Sequence, residues 1–216
     1  ELLQYQPIGS GLIHRTWKVI AEKRSFILQQ INTNVFANPN DIAHNISRID
    51  NYLRQHSPNY LFIAPLQTLS NESMVFHNNQ YYRLFNFAEG SYTADVVQTA
   101  RQAYEAAQQF GRFTHLLQEF DAKQLKITIP HFHDLSYRYE QFTTALERGN
   151  KQRMKQSVDL IAAINQQLSI LHQFEKIKQN KEFKIRVIHH DTKISNILFN
   201  EQDKGLCVID LDTVMP

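Results

Sequence analysis

The chain has 216 residues, 42% of them hydrophobic, with a formal net charge of +2, which is enough apolar material for a packed core and too even a charge balance for a nucleic-acid or membrane-surface protein. A single cysteine excludes an internal disulfide, and no apolar run approaches the roughly 20 residues that cross a bilayer. The expectation is a cytoplasmic protein that works on small molecules, with no nucleic-acid or membrane partner; it starts with Glu1 rather than Met and has no charged, apolar leader, as if its first residues were missing or it were a piece of a longer chain.

In chain order, Tyr5 to Ile8 and Thr16 to Ile20 are strands either side of a turn that holds Gly9 and Gly11. Ser25 to Gln30 is a third strand. Pro39-Asn40-Asp41 opens a helix whose Ile42, Ile46, Ile49 and Leu53 share one face, and Pro58 ends it. Two further strands are expected near Ala64 to Leu69 and Tyr81 to Phe85, and Asn86 to Gly90 is an exit turn. Residues 1–86 therefore form one lobe and 87–216 a second. In the second lobe, Ala103, Ala107, Phe110, Phe113 and Leu117 trace one helical stripe. Met154, Val158, Ile161, Ile164, Leu168 and Leu171 trace another, and both are expected to be core faces. Between them a loop, Pro130 to Asp134, leads into a short helix from Tyr137 to Leu146 that Gly149 closes. Ile197 to Phe199 and Leu206 to Ile209 flank a polar turn and form a hairpin.

The chemistry lies around that hairpin. Asp191 stands five residues before Asn196, and Asp210 follows fourteen residues after Asn196, so Asn196 enters the hairpin and Asp210 leaves it on the same rim. A carboxylate that can take a hydroxyl proton, an amide oxygen that can hold a metal and a second carboxylate that can bridge metal and triphosphate are the parts of a phosphoryl-transfer site.

Four ordered blocks, Ile27 to Phe36, Ile129 to Asp134, His189 to Asn196 and Ile209 to Pro216, carry a resemblance to the aminoglycoside phosphotransferase and choline kinase superfamily, which shares the protein kinase fold. Within it the chain resembles N-acetylhexosamine 1-kinases. The resemblance implies an α+β, two-lobed protein-kinase-like fold with a nucleotide-covering lobe at 1–86 and a catalytic lobe at 87–216. That second lobe is cut short, since relatives continue into further helices after the metal-binding aspartate.

The resemblance further implies ATP and Mg2+ as cofactors, Asp191 as catalytic base, and Asn196 and Asp210 as metal ligands. Lys193 would offset charge on the transferring phosphoryl group, and Gly9 and Gly11 would let backbone N–H groups approach phosphate. Gln29 stands where most kinases carry a phosphate-binding Lys or Arg, with Asp50 where the helix acid that pairs with it would be. Asn86 belongs to the hinge segment beside the nucleotide, and His189 is expected to buttress the metal-binding segment. Asp212 is open to two roles, second metal ligand or orienting group. His14 faces phosphate, sugar or solvent. Phe132, His133 and Arg138 either meet the acceptor or serve packing and helix capping. The implied acceptor is a small molecule, with the anomeric hydroxyl of an N-acetylhexosamine favoured over aminoglycosides, choline-like or hydroxylysine-like compounds. A chain ending at Pro216 is expected to self-associate, and a catalytically silent binding fragment is the rival reading.

Overall fold

The computed structural model describes residues 2–9 and 13–216. The chain divides into two compact units, one built from residues 1–129 and 186–216 and the other from residues 130–185. Position 86 falls inside the first unit. Among the described residues, no helix is long and apolar enough to cross a membrane.

The first unit contains a five-stranded sheet in the order β1-β2-β3-β5-β4, formed by β1 (Leu2–Pro7), β2 (Arg15–Ala21), β3 (Ser25–Gln30), β4 (Val75–His77) and β5 (Gln80–Asn86). All its pairs are antiparallel. The expected strand at Ala64 to Leu69 does not form. Pro65 has no N–H to donate, and the segment makes a single bridge to the sheet, from Leu66 N to Leu84 O at 2.6 Å; the edge strand is instead Val75–His77.

Helix α1 (Pro39–His56) buries Ile42, Ile46, Ile49 and Leu53, the face anticipated from spacing, and has proline in its first turn where a missing N–H costs nothing. In the same buried face stands Asn45, 1% exposed. Its amide nitrogen donates to Lys126 O at 2.8 Å and Val214 O at 3.0 Å, and its oxygen accepts from Lys126 N at 2.7 Å. One side chain thus fastens the helix to two distant segments.

Helix α2 (Ala100–Leu116) is capped by Thr99, whose side chain accepts from Gln102 N. Its buried face is turned by one residue from the expected stripe: Gln102, Ala106, Gln109 and Phe113 are buried, whereas Ala103 and Ala107 are exposed. The cause is polar. Gln109 Nε2 donates to Gly205 O at 2.8 Å, and Glu105 Oε2 accepts from Gly205 N at 3.0 Å, so helix side chains satisfy backbone groups at the start of a strand. A Cβ at Gly205 would lie 2.7 Å from Gln109 Cγ and 3.1 Å from Glu105 O, so glycine is needed for this close approach.

That strand is β8 (Gly205–Val208), paired antiparallel with β7 (Ile197–Asn200), which in turn pairs with β6 (Ser91–Tyr92). Ile197, Phe199, Cys207 and Val208 are buried at 0 to 1% exposure, so the expected hairpin is also part of the core. Burial pushes the Cys207 thiol up to about 12.

The second unit is helical. The expected short helix forms as α3 (Leu135–Arg148), capped by Asp134, which accepts from Tyr137 N, and ended by Gly149, whose N–H reaches Ala145 O at 2.8 Å. The second stripe is not one helix. It breaks into α4 (Lys151–Gln156), α5 (Val158–Gln166) and α6 (Leu168–Gln179), because Ser157 and Gln167 sit at ψ of 18° and interrupt the ladder. No residue of these three helices is buried: Met154, Ile161, Leu168 and Leu171 are half-buried, while Val158 and Ile164 are exposed. The core face expected there is not present.

Asn45→Ala is expected to lower the unfolding free energy by about 3 kcal/mol, because it strands a buried N–H and two carbonyls rather than removing apolar contact. Denaturant unfolding measures it; a loss under about 1 kcal/mol would mean that the three bonds do not hold the helix.

Candidate active site

The hairpin positions the site. Ile197 pairs with Val208, and Ile209 N donates to Asn196 O at 2.9 Å, so the ladder ends with Asn196 and Asp210 on one rim. Asp210 adopts φ 60° and ψ 61°, a left-handed conformation uncommon for a residue with a side chain and tolerated best by Asn and Asp. Such a turn redirects the chain directly after the strand, into Leu211–Thr213.

Asp191 is held from both sides. Asn196 Nδ2 donates to its Oδ2 and to its backbone oxygen, each at 2.9 Å, and Lys193 Nζ lies 2.8 Å from Oδ2. Partial burial pushes the Asp191 carboxyl up, but the hydrogen bonds from Lys193 and Asn196 outweigh it and keep the group below the ordinary carboxylate range. With the Asn196 nitrogen committed to Asp191, the amide oxygen is the atom left for a cation.

His189 ties this loop to the segment that carries Asp210. It is 3% exposed, Nε2 donates to Ile209 O at 3.0 Å, Nδ1 accepts from Asp191 N at 3.3 Å, and its own backbone oxygen accepts from Thr213 Oγ1 at 2.6 Å. Desolvation lowers its pKa, which matches a neutral ring with a proton on Nε2 alone.

Asp212 is the most enclosed charge of the site, at 1% exposure. Its Oδ2 receives His14 Nε2 at 2.6 Å and Arg83 Nη2 at 2.7 Å, and its backbone oxygen accepts from Thr128 Oγ1 at 2.7 Å. Arg83 Nη2 also lies 2.6 Å from Oδ1, yet without hydrogen-bond direction, so Oδ1 is paired by charge but not bonded. Desolvation pushes the Asp212 carboxyl up, but the charges and hydrogen bonds of Arg83 and His14 outweigh it and hold the group below the ordinary carboxylate range; the neighbouring Asp210 moves the other way, raised by its own burial and by the charge on Asp212.

Arg83 is the site residue that motif reasoning missed. It projects from β5 opposite Gln29 of β3, and Gln29 in turn stands opposite Thr16 of β2. Arg83 Nε donates to Gln29 Oε1 at 2.9 Å, and a second, shorter bond runs from Nη2 to the same oxygen. The signal in the sequence was a lone charge in the apolar run Tyr81 to Phe85. Asp50, by contrast, bonds Arg54 at 2.8 Å and takes no part; the acid that pairs with the strand cation is Asp212.

A cavity of about 700 Å³ is lined by Gly9, His14, Gln29, Asn86, Lys193, Asn196, Asp210 and Asp212 of the expected site residues, together with Arg83 and the apolar Ile8, Ile27, Phe85, Leu198 and Ile209. Asp191 is not in its lining but is bonded to Lys193 and Asn196, which are. His14 has both ring nitrogens engaged, Nε2 with Asp212 and Nδ1 accepting from Asn32 N at 3.1 Å, and it stacks on Phe36 at 5.3 Å, so it supports Asp212 rather than offering a free atom to a substrate. Gly11 lies outside the described residues. Phe132, His133 and Arg138 belong to the second unit, where the Phe132 and His133 rings stack at 4.5 Å and Arg138 Nη2 donates to Phe132 O at 3.1 Å.

Among the described residues there is no group of three or more His, Cys, Asp or Glu side chains gathered to hold a metal. The available donors are oxygens: those of Asp210 and Asn196, and the unbonded Oδ1 of Asp212. Hard oxygens with two crowded negative charges suit Mg2+, which takes one or two carboxylates and fills its other positions with water and phosphate.

Three carboxylates and an amide stand at one end of a buried hairpin, beside a half-apolar cavity under an antiparallel sheet, on a kinase-like α+β fold. The sequence pattern of the phosphotransferase enzyme family, APH, matches residues 4–216, and the chain belongs to that family. Solved structures share the fold at low identity. Spectinomycin phosphotransferase APH(9)-Ia in complex with ADP and spectinomycin aligns with a TM-score of 0.64 and 16% identity over 100% of this chain and 65% of its own. An aminoglycoside phosphotransferase from Alicyclobacillus acidocaldarius gives 0.61 and 16% over 98% and 63%. A thermostable variant of APH(4)-Ia in a ternary complex with AMP-PNP and hygromycin B gives 0.60 and 13% over 99% and 67%. The chain thus spans 65% and 63% of the length of the first two.

His189 makes stability depend on pH. The unfolded ring takes a proton near its ordinary value of about 6.5, and the folded ring only at lower pH, so its contribution is complete above about 6.5 and is lost as pH falls below that toward the folded value. Unfolding measured between about pH 8 and 5 is expected to show a steeper fall for the native protein than for His189→Gln; parallel curves would show that the ring is not held neutral.

Proposed function

We propose that this protein transfers the γ-phosphoryl group of ATP to a hydroxyl of a small polar acceptor, with an N-acetylhexosamine as the favoured acceptor. The observation that carries it is the convergence of Asp191, Asn196 and Asp210 at one end of the β7–β8 hairpin, beside a cavity that also offers apolar wall from Ile8, Ile27, Phe85, Leu198 and Ile209. In this proposal the base of the nucleotide lies among Ile8, Ile27, Phe85, Leu198 and Ile209, against the Asn86 segment, and the phosphates run toward Lys193 and Asp210. Mg2+ on Asn196 and Asp210 would offset charge on the β and γ phosphates.

Asp191 accepts the proton of the acceptor hydroxyl as that oxygen bonds to the γ phosphorus and the bond to the bridging oxygen of ADP breaks. A carboxylate below its ordinary pKa is a weak base, and it suffices because the hydroxyl becomes acidic only as the new bond forms. Its work is mainly orientation, which explains why two hydrogen bonds from Asn196 fix it. Lys193 neutralises charge on the phosphoryl oxygens while remaining within reach of Asp191. His189 and His14 act through Asp191 and Asp212.

The amino-sugar acceptor rests on the resemblance of the four sequence blocks. An aminoglycoside is the second reading, favoured by the solved structures with antibiotics bound. Labelled ATP with N-acetylglucosamine, N-acetylgalactosamine, spectinomycin and hygromycin B as acceptors separates the two; transfer to none of them would count against both.

Asp191→Asn is expected to lower kcat by about a hundredfold or more with ATP affinity within about threefold, since the base acts on the acceptor and not on nucleotide. Retention of about a tenth of the rate, equivalent to about 1.4 kcal/mol of barrier, would remove Asp191 from the role. Asp210→Ala is expected to abolish the Mg2+ dependence of ATP binding in calorimetric titrations; if that dependence survives, the metal sits elsewhere.

A further inference from the structure

We infer that Arg83 supplies the phosphate-binding cation that Gln29 cannot, and that nucleotide binding exchanges the ion-pair partner of Arg83 from Asp212 to phosphate. The inference rests on the nucleotide site proposed above and concerns how that site grips its ligand.

Three observations lead to it. First, the third strand presents Gln29 to the cavity, and a neutral amide cannot offset phosphate charge. The side chain directly opposite it on the next strand is Arg83, which lines the same cavity and is held by Gln29 Oε1 through Nε and Nη2. Gln29 thus acts as an acceptor that aims a guanidinium, in the position where it would otherwise have carried the charge. Second, the guanidinium is not fully used. Its side chain is 2% exposed, Nε and Nη2 have partners, but Nη1 is buried without any hydrogen-bond acceptor. A buried donor left unpaired is costly, so charge balance with Asp212 alone does not account for this placement. Third, the mismatch is two-sided. Asp212 Oδ1 is likewise buried and without a hydrogen bond, although Arg83 Nη2 is 2.6 Å away. An arginine donor without an acceptor and a carboxylate oxygen without a donor thus belong to two residues that line one cavity, where an anion can accept from the first and a cation can bind the second.

A triphosphate with its divalent cation satisfies both. A turn of the Arg83 terminal torsions brings Nη1 to a phosphate oxygen in the planar, two-pronged manner that suits guanidinium, and releases the Asp212 carboxylate toward the cation. His14 remains on Asp212 and keeps it from following Arg83. No covalent bond is made or broken in this exchange.

The test compares nucleotides that differ only in phosphate. Calorimetric titration with ATP, ADP and adenosine, in Mg2+, is made on the native protein, Arg83→Met and Arg83→Lys. Arg83→Met is expected to weaken ATP and ADP about tenfold or more while adenosine changes less than about twofold. Arg83→Lys keeps a cation beside Asp212, and with it the fold, but lacks the second prong; it is expected to weaken ATP about fivefold with adenosine unchanged and the melting temperature near the native value. A double variant, Gln29→Lys with Arg83→Gln, puts the cation on the third strand and is expected to recover most of the ATP preference over adenosine.

ATP affinity within about twofold of native in Arg83→Lys overturns the inference, as does equal weakening of ATP and adenosine in either single variant, which would make Arg83 a support of the fold. A native protein that binds neither ATP nor adenosine overturns the nucleotide site itself, a result distinct from both.

Discussion

The first unit is organised around one buried carboxylate. Asp212 comes from the last turn of the chain, Arg83 from the middle of the sheet and His14 from the turn between the first two strands, and all three side chains are at most 6% exposed. Removing an ionised group from water costs several kcal/mol, and the attraction between partners offsets that only when both are present and well aligned. Losing one partner of such a pair costs about 3–5 kcal/mol, because the other is left charged and dry. The pair therefore joins sheet to hairpin by charged contacts, beside the surrounding apolar ones.

The rest of the site depends on that junction. The hairpin brings Asn196 and Asp210 together by backbone pairing alone, through Ile209 N and Asn196 O, and His189 carries the constraint onward to Asp191 by bonding Ile209 O and Asp191 N at its two ring nitrogens. What the hairpin cannot supply is cover. That comes from the sheet, whose cavity-facing row runs Thr16, Gln29, Arg83 across three strands. A site assembled from one local hairpin and one remote sheet needs a single strong link between them, and Asp212 is that link.

Legibility followed how local each cause was. The spacing from Asp191 to Asn196 to Asp210 and the polar turn between apolar runs were enough to place the hairpin and its rim, since both depend on residues within a short stretch. The face of α1 was legible for the same reason. The face of α2 was not, because Gln102 and Gln109 are buried to serve groups a hundred residues away or nearly so, a demand no periodicity in the helix records. Arg83 belongs to no local motif, because its partners, Gln29 and Asp212, lie 54 and 129 residues distant. The strand lost at Pro65 and the breaks at Ser157 and Gln167 are failures of another kind, in which apolar spacing outvoted the backbone.

Cys207 offers a view of the hairpin from within. It is the one cysteine of the chain, fully enclosed on β8 opposite Leu198, and burial keeps its sulfur protonated and inert at neutral pH. A thiol reagent can therefore reach it only while the core around β8 opens. The labelling rate becomes a clock for that opening, blind to motions of the exposed helices, and slower labelling in the presence of a ligand would report how firmly the rim of the site is clasped.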